Sequence, residues 1–84
     1  MRVTFKLYAM LSDYLPDEAR KTNSLTIDVP PSHTVGQMID EFNLPPKLVH
    51  LVLVNGNFIP PAERAGHALA EDDVLAIWPP IAGG

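Results

Sequence analysis

Read for chemistry, the chain offers most in its last stretch, Trp78-Pro79-Pro80-Ile81-Ala82-Gly83-Gly84. With Gly84 as the final residue, one carboxylate stands at the end of a backbone without Cβ atoms, able to enter a channel that a larger residue would block. Pro79 and Pro80 hold φ near polyproline values and keep the stem extended. The residues after Trp78 could then reach roughly 20 Å, at about 3.3–3.6 Å per residue. This suits the presentation of a single terminal carboxylate inside another protein. A plainer reading is a frayed, glycine-rich end. Against it, the strand-forming run Val74-Leu75-Ala76-Ile77-Trp78 passes straight into the tail, which carries no Ser, Lys or Glu to solvate it.

No other constellation offers self-sufficient chemistry. His33, His50 and His67 have spacings that fit no metal-ligand motif, and each is expected to face solvent beside an element end or in a loop. Ser12, Ser24 and Ser32 lack a nucleophile elbow. Glu71-Asp72-Asp73 lacks the alternating oxygen ligands of a calcium loop and reads as a solvated turn. Neither a metal site nor a phosphate-cradling glycine loop is expected. The absence of cysteine rules out disulfides, thiolate metal sites and a thiol nucleophile. If this protein handles sulfur, the sulfur must sit on something other than cysteine.

Charge narrows the partners. Six Lys and Arg against ten Asp and Glu give a net charge of −4 with no basic cluster, which argues against nucleic acid as a direct ligand. No apolar run is long enough to span a bilayer and the N-terminus lacks a signal-peptide core, so a cytoplasmic protein away from membranes is expected. A chain of 84 residues makes one small domain with a single core.

The elements that must position the tail follow from periodicity. Val3, Phe5 and Leu7 alternate with polar residues over 2–8, and Leu25, Ile27 and Val29 do so in a second run ended by Pro30-Pro31, which predicts two strands in a wide hairpin. Leu11 and Leu15 suit a short helix or turn between them, followed by a polar connector over 17–23. Thr34 and Gln37 fit a capping box. Val35, Met38, Ile39 and Phe42 then form one apolar stripe, which predicts a helix of two to three turns stopped by Pro45-Pro46. Leu51-Val52-Leu53-Val54 is apolar on both faces, as for a central strand. Asn55-Gly56 suits a type I′ turn into a short return strand over 57–59. A loop over 60–70 and the acidic turn lead to a last strand over 74–78. The order predicts an α+β fold: a ubiquitin-like β-grasp domain over 1–78, with a mixed four- to five-stranded sheet, one main helix across it, and an extended tail over 79–84.

Tyr8, Phe58 and Trp78 remain over. Strand alternation does not place these aromatics securely in the core, and together they could form a docking patch. One or two of them capping the edge of the core is the alternative.

The ending Trp78-Pro79-Pro80-Ile81-Ala82-Gly83-Gly84, preceded by Leu69-Ala70-Glu71-Asp72-Asp73-Val74 and with Val54-Asn55-Gly56 upstream, resembles the MoaD/ThiS sulfur-carrier family, nearest the small subunits of molybdopterin synthase. Leu44-Pro45-Pro46-Lys47 and Ile59-Pro60-Pro61 depart from its simplest members. The resemblance implies a carrier that is not itself an enzyme and binds no cofactor. An E1-like adenylyltransferase of the MoeB/ThiF type spends ATP to adenylate the Gly84 carboxylate. A sulfur donor converts the adenylate to a thiocarboxylate, and the sulfur passes to the molybdopterin synthase large subunit or an analogous acceptor. Pro79, Pro80, Ile81, Ala82 and Gly83 would lie in the partner's channel, while Tyr8, Phe58 and Trp78 dock. Thiamine synthesis, tRNA thiolation or cysteine synthesis could receive the sulfur instead. Alternatives of other classes are a ubiquitin-like modifier joined to a target lysine and a non-catalytic β-grasp interaction module.

Overall fold

The computed structural model describes residues 1–80. The first two alternating runs form β1 (Arg2–Leu7) and β2 (Ser24–Asp28), paired antiparallel from Arg2 opposite Asp28 to Lys6 opposite Ser24. Between them lie a 3-10 helix over Ala9–Tyr14 and a four-residue helix, α1 (Asp17–Arg20). The polar connector expected over 17–23 thus contains a helical turn. Pro16 precedes it, Asp17 and Glu18 occupy its first turn, and Arg20 closes it with an ion pair to Asp17 at 2.9 Å. Leu11 and Leu15 are both buried, so this segment closes one end of the core.

The main helix, α2 (Val35–Glu41), starts where the capping box places it. Thr34 Oγ1 accepts from the Gln37 N–H at 3.1 Å, and Gln37 Oε1 accepts from the Thr34 N–H at 2.8 Å. Two further N–H groups of the first turn, which a helix leaves without intrahelical partners, are taken up by the long loop. Val35 N donates to His67 O and Gly36 N to Arg64 O, each at 2.9 Å. The loop runs that close to the helix because residue 36 is glycine: a Cβ there would sit 2.9 Å from the Ala65 Cα.

After α2 come β3 (Leu51–Val54), a turn with Asn55 at φ 51° and Gly56 at φ 82°, and β4 (Asn57–Phe58). β5 (Val74–Trp78) runs parallel to β1, with Phe5 opposite Leu75 and Leu7 opposite Ile77, and antiparallel to β3, with Val52 opposite Ile77. The sheet order is β2-β1-β5-β3-β4, mixed and five-stranded. The middle strand is therefore β5, and β3 lies one place out.

Val3, Phe5, Leu7, Val52, Val54, Leu75 and Ile77 project from one sheet face and are buried beneath α2, which contributes Val35 and Met38. Phe42 tilts against Phe5 with ring centroids 4.7 Å apart. Leu44, Ile59 and Leu69 complete the core from the loops. Two polar side chains are buried, His33 against expectation. His33 is only 6% exposed and places Nε2 2.9 Å from Glu41 Oε1, because Leu69 N donates to its carbonyl and draws the long loop over it. Arg64 is 8% exposed, and its guanidinium donates to the carbonyls of Ile59 (3.0 Å), His50 (3.0 Å) and Val49 (3.4 Å).

Helix propensity alone predicts that Gly36→Ala gains up to about 1 kcal/mol. The Cβ approach to Ala65 backbone instead predicts overpacking, typically about 1–3 kcal/mol. Denaturant unfolding should therefore show Gly36→Ala to be the less stable protein; a stabilised variant would mean that the loop yields freely.

Candidate functional site

The tail leaves from the end of β5, and the fold determines what surrounds that point. Because β1 and β5 are parallel, their C-terminal ends lie side by side. Tyr8, the residue after β1, stacks on Trp78, the last of β5, with centroids 4.4 Å apart and planes 5° from parallel. Tyr8 N donates to Ile77 O at 3.2 Å and His50 N to Trp78 O at 3.1 Å. The root of the tail is thus tied to the strands on both sides. The chain turns sharply beyond Tyr8, where Ala9 has φ 52°, a left-handed value that costs a non-glycine residue roughly 1 kcal/mol. Pro79 is buried and Pro80 exposed.

Side-chain alternation sends Trp78 to the sheet face opposite α2. Ala76, Leu51 and Leu53 share that face, since Leu51 pairs with Trp78 and Leu53 with Ala76. Phe58 pairs with Leu53 and joins them, 54% exposed. The face thus carries one row of Tyr8, Trp78 and Leu51, and a second of Lys6, Ala76, Leu53 and Phe58. Leu51, Leu53, Tyr8 and Trp78 are half-buried. No described element covers them, for both helices and the long loop serve the other face or the sheet's ends.

The three aromatics singled out by sequence do lie on one sheet face, in two groups. Tyr8 and Trp78 touch, whereas Phe58, on β4, sits two strands from β5, next to Leu53, with no aromatic partner among the described residues. Leu51 and Leu53 join them: the strand is apolar on both sides, yet only its Val52 and Val54 side is fully buried. The available signal was the single long helix, which can cover only one sheet face. Pro79 and Pro80 follow β5 directly, and the rest of the predicted tail, Ile81, Ala82, Gly83 and Gly84, lies outside the described residues. Among the described residues no cluster of His, Asp and Glu could hold a metal ion, and no helix is long and apolar enough to cross a membrane.

A one-helix β-grasp with an apolar sheet face at the root of its C-terminal tail defines the class of ubiquitin-like small carriers and modifiers. Within that class the chain belongs to the ThiS family, whose profile matches residues 14–84. No curated protein matches it by sequence. Among solved structures it is similar to SAMP1 of Haloferax volcanii, at 26% identity and TM-score 0.67 over 100% of both chains. The HVO 2177 protein of the same organism has 23% identity and TM-score 0.73, over 100% of this chain and 87% of that one. A Pyrococcus furiosus protein described as molybdopterin converting factor, subunit 1, has 17% identity and TM-score 0.67, over 96% of this chain and 99% of that one. The latter two likenesses concern the fold. Carriers of the MoaD/ThiS type work with E1-like enzymes and sulfur-accepting partners.

The exposed and the stacked aromatics should differ in their stability cost. Phe58→Ser should shift the unfolding free energy by no more than about 0.5 kcal/mol, as for an ordinary surface site. Trp78→Ala loses a ring contact worth about 0.5–1.5 kcal/mol in addition to its buried area. Equal costs in thermal unfolding would show Phe58 to be part of the core.

Proposed function

We propose that this chain is a sulfur carrier whose reactive group is the α-carboxylate of Gly84. A carboxylate is a poor electrophile, so its oxygen must first become part of a leaving group. Attack on the α-phosphorus of ATP, catalysed by an E1-like adenylyltransferase, gives an acyl-adenylate and pyrophosphate. A sulfur nucleophile from a separate donor then displaces AMP and leaves a thiocarboxylate. Without cysteine in the chain, this terminus is where sulfur can be carried covalently and released again. The carrier supplies position and a reactive end; its partners supply catalysis and ATP, and it needs no bound cofactor of its own.

The observation that carries the reading is the apolar sheet face ending in the Tyr8–Trp78 stack, directly where a family-matched tail departs toward Gly83-Gly84. Tyr8, Trp78 and Phe58, with Leu51 and Leu53, dock the partner. Pro79 and Pro80 aim Ile81, Ala82 and Gly83 into its channel. The acceptor we favour is the large subunit of molybdopterin synthase, in the cytoplasm, on the strength of the Trp-Pro-Pro-Ile-Ala-Gly-Gly ending. A second reading uses the same adenylate: a lysine amine in place of sulfur would make the chain a protein modifier. It is favoured by the likeness to a structure described as small archaeal modifier protein 1, at 25% identity and TM-score 0.63.

Intact mass after incubation with the activating enzyme, ATP and a sulfur donor decides between them. Carrier function predicts a gain equal to sulfur minus oxygen, localised to Gly84. Conjugates of higher mass support the modifier, and an unchanged mass with several activating enzymes contradicts both. Deleting Gly84 should leave the melting temperature unchanged and abolish adenylation; a destabilised deletion variant would mean that the terminus is part of the packed domain.

A further inference from the structure

On the helix side of the sheet, away from the aromatic face, Ile39, Pro46, Val49, Pro61 and Arg64 line an open depression of about 160 Å³. Its walls are apolar except for Arg64. That side chain is buried, yet none of the ion pairs among the described residues involves it: these join Arg2 to Asp28, Arg20 to Asp17, Lys21 to Glu18 and His33 to Glu41. The carbonyls of Ile59, His50 and Val49 accept three hydrogen bonds from its guanidinium but bring no formal negative charge. An arginine has five N–H donors, so two remain. Desolvation by burial lowers its pKa from the usual value. Arginine nonetheless stays protonated at any physiological pH.

A purely structural clip would need the three carbonyls and nothing more. It would not need the charge, which burial makes costly unless it is paired, nor the apolar depression beside it. From this pairing of an uncompensated guanidinium with an apolar recess, we propose that the depression is a second recognition site, which takes an aliphatic side chain adjacent to a glutamate or aspartate carboxylate on a partner protein. The volume is close to the roughly 150 Å³ in which a protein cavity accommodates benzene, and so admits a branched aliphatic group. The carboxylate supplies the missing negative charge through a charge-assisted bond to the free N–H groups of Arg64. The site lies across the sheet from the aromatic face, so a partner could occupy it while the tail is engaged elsewhere.

The test is an NMR titration of the full chain, following the Arg64 Nε–Hε signal and the amides of Ile39 and Val49. Acetyl-Leu-Glu-amide should shift all three saturably, and acetyl-Leu-Gln-amide should bind about tenfold more weakly, the difference between a charged and a neutral acceptor. Arg64→Ala risks unfolding the loop, so Pro61→Glu serves as the variant. Pro61 is exposed at the rim, and a carboxylate there should satisfy Arg64 internally and reduce peptide affinity about tenfold while the amide spectrum stays folded. Equal affinity for the two peptides, shifts centred elsewhere, or no saturable shift would overturn the proposal. So would binding of isovalerate without the dipeptide, which would make the recess a small-molecule site.

Discussion

The parallel pairing of β1 with β5 is the interaction on which the rest of the structure depends. It places the last strand in the middle of the sheet, between β1 and β3, so the chain leaves the domain from its best-supported strand. Leu75 and Ile77 are fully buried on that strand, and the backbone of its final residues is bonded on both sides, to Tyr8 and to His50. Parallel pairing also brings the ends of β1 and β5 together, which is what lets Tyr8 stack on Trp78. An antiparallel partner would have put the N-terminus of β1 there instead, and the tail would emerge beside Arg2.

The second constraint is that one helix cannot cover two faces. α2 and the loops shelter Val3, Phe5, Leu7, Val52 and Val54, while on the opposite face Leu51, Leu53 and Trp78 are half-buried and Phe58 is exposed. A chain this small could have made that face polar, as β1 and β2 do with Thr4, Lys6 and Thr26. It is polar on the β2 side and apolar on the side nearest the tail. That gradient leaves an apolar half next to the root of the tail, the surface that the proposed function assigns to docking. The apolar half carries a desolvation benefit of about 25 cal/mol for each Å² a partner covers.

Local signals made much of this legible. The alternation in β1 and β2, the Thr34–Gln37 capping box, the apolar stripe of α2 and the Asn55-Gly56 turn each depend on neighbours within a few residues, and each is found where expected. The short α1 is one turn long and too brief to show a period. His33 and Arg64 were hidden for a different reason: their burial comes from the loop over 60–70, whose contacts with His33, Val35, Gly36 and His50 join distant parts of the chain. Such a loop has no hydrophobic rhythm to read. The exposure of the Leu51 and Leu53 face is not legible because alternation says which residues share a face and leaves open whether anything covers it. For Tyr8, Phe58 and Trp78, alternation leaves the grouping open; the strand order puts Tyr8 on Trp78 and Phe58 apart from both.

The claim most in need of a direct test is that the uncovered sheet face and the tail root form one docking surface. Hydrogen exchange of the full chain, alone and bound to an E1-like activating enzyme, measures it residue by residue. The structure predicts added protection in β3 through β5, at Leu51, Leu53, Phe58 and Trp78, and at Tyr8, with α2 unchanged. Protection confined to α2 and the loop over 60–70, leaving the aromatic face as exchangeable as in the free protein, would contradict it.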